Sequence, residues 1–128
     1  VCSSDLLFRQ LLTSLRLYLS IKHYCTQKKI QCKMDSPLKT IKISHEFLSL
    51  YFIIITQKSN YRTMVKAIRN NENSAQIVLL TSDVDYNYIF ENHLELLGII
   101  DLSSNYSYTT LLELIKGYID DFIEIKSE

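Results

Sequence analysis

Two apolar segments of the sequence end in a threonine, and the hydroxyl groups at these ends are the first candidates for chemistry. YFIIIT ends at Thr56, and IVLLT ends at Thr81. In α/β proteins, binding and catalytic groups usually lie at the carboxyl ends of buried parallel strands. The end of the first segment offers no carboxylate, thiol or imidazole. We therefore expect no acidic nucleophile at that position.

Other residues capable of chemistry are scattered along the chain. His23, His45 and His93 fall in separate predicted helices, so they can form a catalytic or metal-binding cluster only through tertiary contacts. Asp83 and Asp85 are possible metal ligands, but capping of a helix that starts beside them explains both more simply. We therefore predict no catalytic residue, no metal site and no cofactor.

Four tyrosines in the second half of the chain have two interpretations. Tyr86, Tyr88, Tyr106 and Tyr108 form either an interaction face or the aromatic packing around the last two helices. The sequence does not decide between the two.

Composition indicates one domain in a reducing compartment. The 128 residues are 47% apolar, enough for a hydrophobic core, and two glycines and one proline disfavour an all-β fold with many tight turns. Cys2, Cys25 and Cys32 are odd in number and include no CxxC pair, which is typical of free thiols. No membrane span or signal peptide is recognisable, so we expect a cytoplasmic protein.

Charge divides the sequence into two halves although the net charge is zero. Through Arg69 there are 12 Lys and Arg against 3 Asp and Glu, and from Asn70 onward there are 2 against 11. A basic nucleic-acid surface with an acidic tail is one interpretation. We favour the other, in which basic and acidic elements are neighbours in one fold, because no nucleic-acid-binding motif accompanies the basic residues.

The first six residues are set apart from the rest. VCSSDL resembles the translated end of a common sequencing adapter, so we expect residues 1–6 to be an artefact and residues 7–128 to be a single domain that lacks its first strand.

Hydrophobic periodicity predicts alternating helices and strands after that point. The predicted helices carry these residues: Phe8, Leu11, Leu12, Leu15 and Leu19 in the first; Leu38, Ile41 and Leu48 in the second, opened by Pro37; Tyr61, Met64, Val65 and Ile68 in the third; Tyr86, Ile89, Phe90, His93 and Leu97 in the fourth, closed by Gly98; Leu111, Leu114, Ile115, Tyr118, Phe122 and Ile123 in the fifth, with a capping box at Thr110 and Glu113. The predicted strands are an edge strand at Ile30, Cys32 and Met34, then YFIIIT, then Ile77 to Thr81, then GIIDL.

This alternation predicts an α/β fold in three layers, a doubly wound parallel sheet with helices on both faces. The expected strand order is the flavodoxin-like 2-1-3-4-5, with strand 1 missing. Without strand 1, one edge of YFIIIT should be exposed, and the chain alone should aggregate or be molten unless strand 2 moves across to pair directly with strand 3.

The sequence resembles the receiver domain of bacterial two-component response regulators, most closely the Agr-type quorum-sensing regulators whose receiver precedes a LytTR DNA-binding domain. The resemblance covers nearly the whole chain after Leu6. It is strongest in IRNNENSAQIVLLTSDVDYNYIF, where an Ile-Arg pair leads to a strand ending in Thr and then to an acidic helix start. LYFIIIT is similar to the third strand of that group, which is usually written with two acidic positions.

The resemblance implies a degenerate phosphorylation site. Ile54 stands where the family has its phosphoacceptor Asp, and Thr56 stands where a backbone carbonyl helps to bind magnesium. Thr81 matches the hydroxyl that reports phosphorylation, and the strand-5 lysine should fall at Leu102 or Ser103, neither of which is a lysine. Because a receiver needs a carboxylate nucleophile, Ile54 cannot accept a phosphoryl group.

The implied function is a pseudo-receiver that takes part in phosphorelay signalling and the regulation of transcription through protein contacts, without enzymatic activity. The expected partner is a histidine kinase or another regulator, bound through the family's helix 4, strand 5 and helix 5. These correspond to the last two predicted helices and the strand between them. We expect a weak homodimer or none, no direct nucleic-acid contact and no membrane contact. A small flavodoxin-like cofactor-binding domain is the alternative, and an α/β domain without any site is a third possibility.

Overall fold

A computed structural model describes residues 2–35, 40–55, 61–82, 84–91, 93, 95–104 and 106–127. The elements follow in this order: α1 (Cys2–Gln27), β1 (Gln31–Asp35), β2 (Thr40–His45), β3 (Leu48–Ile55), α2 (Tyr61–Asn71), β4 (Gln76–Thr81), α3 (Tyr86–Glu91), β5 (Gly98–Asp101) and α4 (Tyr108–Ser127). The predicted α/β class is confirmed, and every predicted strand is present.

The strands form one mixed sheet in the order β1-β2-β3-β4-β5. The pairs β1–β2 and β2–β3 are antiparallel, whereas β3–β4 and β4–β5 are parallel. The prediction of an entirely parallel sheet is therefore wrong for the first two strands. The predicted strand 2 is β1, and the predicted strand 3 is β3. The missing strand 1 was expected between these two, and β2 occupies that position.

The second predicted helix is wrong because its described part is the strand β2. Ile41 and Ile43 are 1% and 0% exposed, whereas Lys42 between them is half-buried. This alternation of β-branched apolar and polar residues is the pattern of a strand, and two buried residues two positions apart cannot share one face of a helix. Pro37 and Leu38, on which the helix prediction also rested, lie outside the described residues.

A tight turn at Glu46 and Phe47 joins β2 to β3, which begins at Leu48. Each residue of β2 from Thr40 to His45 pairs with β3. The predicted exposed edge of YFIIIT is consequently wrong, because β2 covers it on one side and β4 on the other.

Helices cover both faces of the sheet, and each face has its own core. The face under α1 and α4 buries Leu17, Ile21, Cys25, Ile30, Ile41, Ile43, Leu50, Phe52, Val78, Leu80, Ile100, Leu111, Ile115, Ile119 and Phe122. The face under α2 and α3 buries Tyr51, Ile53, Val65, Ala75, Ile77, Leu79 and Ile89. The three-layer arrangement is thus present.

Helix α1 does not bury the predicted stripe. Leu15 and Leu19 are 42% and 57% exposed, and the buried positions are Leu17, Ile21 and Cys25. A leucine-rich helix offers more than one apolar stripe, and packing against the sheet decides which one is buried. The side chains of the other predicted positions lie outside the described part; they are Phe8, Leu11 and Leu12.

Helix α4 follows its predicted stripe except at Leu114, and it starts with a different cap. Leu111, Ile115 and Phe122 are buried as predicted, whereas Leu114 is 38% exposed. The Ser107 hydroxyl accepts a hydrogen bond of 3.1 Å from the backbone N–H of Thr110, so Ser107 is the N-cap and the capping box at Thr110 is wrong.

Helix α3 starts as predicted and ends early. The Asp85 carboxylate accepts a hydrogen bond of 3.0 Å from the N–H of Tyr88, which confirms it as the cap, whereas Asp83 lies outside the described residues. The helix ends at Glu91, and His93 follows with a φ of 53°, in the left-handed region where helices commonly terminate. Phe90, predicted on the apolar stripe of this helix, is 72% exposed instead of packed.

Gly98 is the first residue of β5 rather than a helix cap. A Cβ atom at this position would overlap the ring and hydroxyl of Tyr118 on α4. The glycine therefore permits a close approach of α4 to the sheet.

We expect Gly98→Ala to lower the free energy of unfolding by about 1–3 kcal/mol, since the Tyr118 ring must move. Gly117→Ala is the matched control, because no atom lies within 4 Å of its Cβ position and alanine favours a helix; it should stabilise the chain by about 0.5–1 kcal/mol. Urea denaturation measures both. Gly98→Ala should be nearly neutral in a Tyr118→Ala background, and an undiminished loss there would contradict the steric explanation.

Candidate functional site

The carboxyl ends of β3, β4 and β5 meet at one edge of the sheet. Ile54 pairs with Leu80, and Thr81 lies between Ile55 and Asp101 on the neighbouring strands. The parallel register thus brings the described members of the predicted site to the same edge.

The two central members of the predicted site lie on opposite faces of the sheet. Ile54 is half-buried and packs against the core under α1 and α4. Thr81 is fully buried, and strand alternation from Leu80 places it on the face of α2 and α3. Ile54 and Thr81 therefore do not form one pocket. Thr56 lies outside the described residues.

The end of β5 is held by backbone and side-chain hydrogen bonds. The N–H of Leu102 donates to the carbonyl of Thr81 over 2.8 Å. The Asp101 carboxylate accepts hydrogen bonds from the hydroxyl and the N–H of Ser103, at 2.6 and 2.9 Å, and these bonds lower the pKa of Asp101. Half-buried Leu102 and exposed Ser103 supply no cation at this edge.

Asp101 is a carboxylate of this edge that the sequence analysis did not single out. The sequence Asp-Leu-Ser could have indicated this turn, since an aspartate two residues before a serine often accepts hydrogen bonds in this way. Within the described ranges, no group of three His, Cys, Asp or Glu residues is placed to hold a metal ion. His23 lies on α1, His45 on β2 and His93 beyond α3.

The four tyrosines divide into two exposed and two packed residues. Tyr86 and Tyr106 are 56% and 42% exposed, whereas Tyr88 packs against the core under α2 and α3. Tyr108 joins α4 to α1: its hydroxyl lies 2.7 Å from the Ser20 hydroxyl, and the Arg16 guanidinium stacks 3.7 Å from its ring centre. Of these four tyrosines, only Tyr86 and Tyr106 are available to a partner.

Arg69, which carries part of the resemblance, fixes the connections around β4. Its guanidinium donates to the carbonyls of Asn73, at 3.1 Å, and of Ala75. It also donates to the carbonyl of Glu95 over 2.6 Å, in the segment before β5. Arg69 is therefore a positioning residue for the loops on either side of β4.

A polar cluster on the α2 side of the sheet was not predicted. The Glu72 carboxylate accepts hydrogen bonds from the ammonium of Lys42, at 2.7 Å, and from the hydroxyl of Tyr51, at 2.8 Å. The pKa of Glu72 is lowered to about 2. The hydrogen bond from Lys42 has the largest effect, those from Ser49 and Tyr51 act in the same direction, and burial acts in the opposite direction. The same ion pair raises the pKa of Lys42. The cluster connects β2 and β3 to the end of α2.

The Glu72 cluster should make stability depend on pH in acid. The pKa of Glu72 is about 2 in the folded chain against an ordinary 4.5, so the unfolded chain binds the extra proton as pH falls from 4.5 to about 2. Stability from this group is therefore complete above pH 4.5 and is lost as pH approaches 2. Because the Glu72 side chain is 29% exposed and solvent screens the pair, we expect a loss of about 1–2 kcal/mol.

Urea unfolding between pH 2 and 6 measures this loss, with Glu72→Gln as the control that removes the titrating group. The difference in stability between the native chain and the variant should shrink as pH falls. Two curves that stay parallel over this range would contradict the assignment.

Comparisons with known proteins gave no match to a protein-family model, to a curated protein or to a solved structure. Among the helices of the described residues, none combines the length and apolar character that crossing a membrane requires.

Proposed function

We propose that the chain is a receiver-like signalling module of a two-component response regulator, and that it acts through protein contacts without accepting a phosphoryl group. The observation that carries the proposal is Ile54 at the carboxyl end of β3, packed against an apolar core at the position where the resemblance calls for the phosphoacceptor. An isoleucine has no nucleophilic atom, so it cannot accept a phosphoryl group.

The layering of the helices supports the proposal. The first and last helices lie together on one face of the sheet, and the two crossover helices of the parallel strands lie on the other. This is the division that a doubly wound fold produces when consecutive parallel strands are joined by right-handed crossovers. The antiparallel β2 departs from the receiver pattern, and it substitutes for the strand that the pattern places between β1 and β3.

The proposed partner surface is formed by α3, β5 and α4. It exposes Tyr86, Phe90 and Tyr106, and acidic side chains accompany them, including Glu91 and Glu113. Aromatic residues are frequent anchors of protein interfaces, and the acidic surroundings suit a basic partner surface. Like charges across a two-fold axis repel each other, so the same surface should form a homodimer weakly. As a signalling module of this kind, the protein would work in the cytoplasm.

Incubation with magnesium and a small-molecule phosphodonor should leave the intact mass of the chain unchanged. A phosphorylatable receiver in the same mixture serves as the positive control. If an adduct forms, the Asp101→Asn variant tests whether it lies on Asp101. This is the one carboxylate among the described residues at the carboxyl ends of β3, β4 and β5. An acid-labile phosphate adduct on the native chain that Asp101→Asn abolishes would contradict the proposal.

A further inference from the structure

Two cysteines meet where α1 turns into β1. Cys25 lies in the last two turns of α1, and Cys32 is the second residue of β1. The chain reverses between them: Lys29 adopts a left-handed φ of 61°, and the N–H of Ile30 donates to the carbonyl of Cys25 over 3.0 Å. This turn places both side chains at the same core, under α1 and α4, where each thiol shifts the pKa of the other.

The two thiols differ in their access to solvent. Cys25 is fully buried in the core under α1 and α4. Cys32 is half-buried and lines a pocket of about 550 Å³ with Lys22, Lys33 and Lys42. A molecule in this pocket therefore reaches the sulfur of Cys32 but not that of Cys25, and it lies beside Lys22; the ammonium of Lys42 is bound to Glu72 on the other face of the sheet.

The contacts favour a thiolate on Cys32 rather than on Cys25. The hydrogen bond from Cys25 lowers the pKa of Cys32, and the nearby Lys22 lowers it further, against the effect of burial. The same hydrogen bond and the burial raise the pKa of Cys25. A thiolate beside a cation is the reactive form of cysteine, whereas a buried thiol is inert until its neighbour changes.

We propose that Cys32 is a redox-reactive thiol that exchanges with anionic low-molecular-weight disulfides in the lysine-lined pocket, and that Cys25 then closes an intramolecular disulfide with it. The inference does not depend on the proposed signalling role.

The exchange proceeds in two steps that balance. The Cys32 thiolate attacks one sulfur of the external disulfide, a mixed disulfide forms, and one small thiolate leaves. The charge of the Cys32 thiolate, which helped to hold the proton on Cys25, is then gone. Cys25 gives its proton to the leaving small thiolate and attacks the sulfur of Cys32, which releases the second small thiolate. Starting from the Cys32 thiolate and the Cys25 thiol, the protein loses two electrons and one proton, and the external disulfide becomes one small thiol and one small thiolate. The new bond ties the end of α1 to the edge strand β1.

Glutathione disulfide is the test reagent, because its carboxylates are opposite in charge to Lys22, and cystamine is its cationic counterpart. In a Cys2→Ser chain, we expect glutathione disulfide to produce a protein lighter by two hydrogen atoms, with Cys25 and Cys32 joined in the peptide map. Cystamine should react several-fold more slowly, and Lys22→Gln should reduce this difference. Cys25→Ala should stop at a stable glutathione adduct on Cys32, and Cys32→Ser should give no adduct on Cys25.

The time course of the Cys2→Ser chain decides the question even where a core variant fails to fold. A transient glutathione adduct on Cys32 that precedes the internal disulfide supports the proposal. A first adduct on Cys25, equal rates with the anionic and cationic reagents, or two thiols that remain free overturns it.

Discussion

Replacing Ile43 with alanine should lower the free energy of unfolding by about 2–4 kcal/mol, as expected for an isoleucine truncated inside a packed core. Ile43 is 0% exposed in the middle of β2 and pairs with Leu50 of β3 and Cys32 of β1. The loss is a large part of the ~5–15 kcal/mol stability of a typical domain. Denaturation with urea, followed by circular dichroism, measures it.

The same experiment distinguishes the strand β2 from the helix that the sequence predicted. In that helix Ile41 lies on the apolar stripe and Ile43 does not, so only Ile41→Ala would be costly. In the strand both side chains point into one core, and both substitutions should cost similar amounts. Lys33→Ala, at an exposed position of β1, is the control and should change stability by less than about 0.5 kcal/mol. A costly Ile41→Ala with a neutral Ile43→Ala would refute the strand.

Elements with a single possible pattern were predictable from the sequence. The short, continuous apolar run of β4 is typical of a buried strand, and the spacing of Met64, Val65 and Ile68 fits one helical face. Segments that satisfy two patterns were not predictable. Ile41 and Leu48 are spaced for a helix, but Ile43 between them makes an equally good strand, and pairing with β3 decides the outcome.

The candidate site was predictable only in its sequence positions. Resemblance placed Ile54 and Thr81 at neighbouring strand ends, which the register confirms, but it did not reveal that alternation turns their side chains to opposite faces. The Glu72 cluster joins residues that are far apart in the sequence. The proximity of Cys25 and Cys32 depends on a turn that the sequence analysis did not recognise. Such contacts depend on the tertiary structure, and no local pattern encodes them.

Phe52 in the middle of β3 should be the most sensitive aromatic position. Its ring is 0% exposed in the core under α1 and α4, and its neighbours in the sheet are Ile41 of β2 and Val78 of β4. Phe52→Ala removes a whole ring from this core and leaves a cavity that β3, held on both sides, cannot close. We expect a loss of about 3–5 kcal/mol, enough to leave the variant largely unfolded at room temperature if the native stability is at the low end of the usual range.

Phe90→Ala is the matched control, because it makes the same chemical change at a ring that is 72% exposed on α3. It should change the free energy of unfolding by less than about 0.5 kcal/mol. Since Phe90 belongs to the proposed partner surface, the same variant should bind a basic protein partner more weakly while its urea transition stays in place. Equal destabilisation by the two substitutions would contradict the packing of both rings, because burial alone distinguishes them.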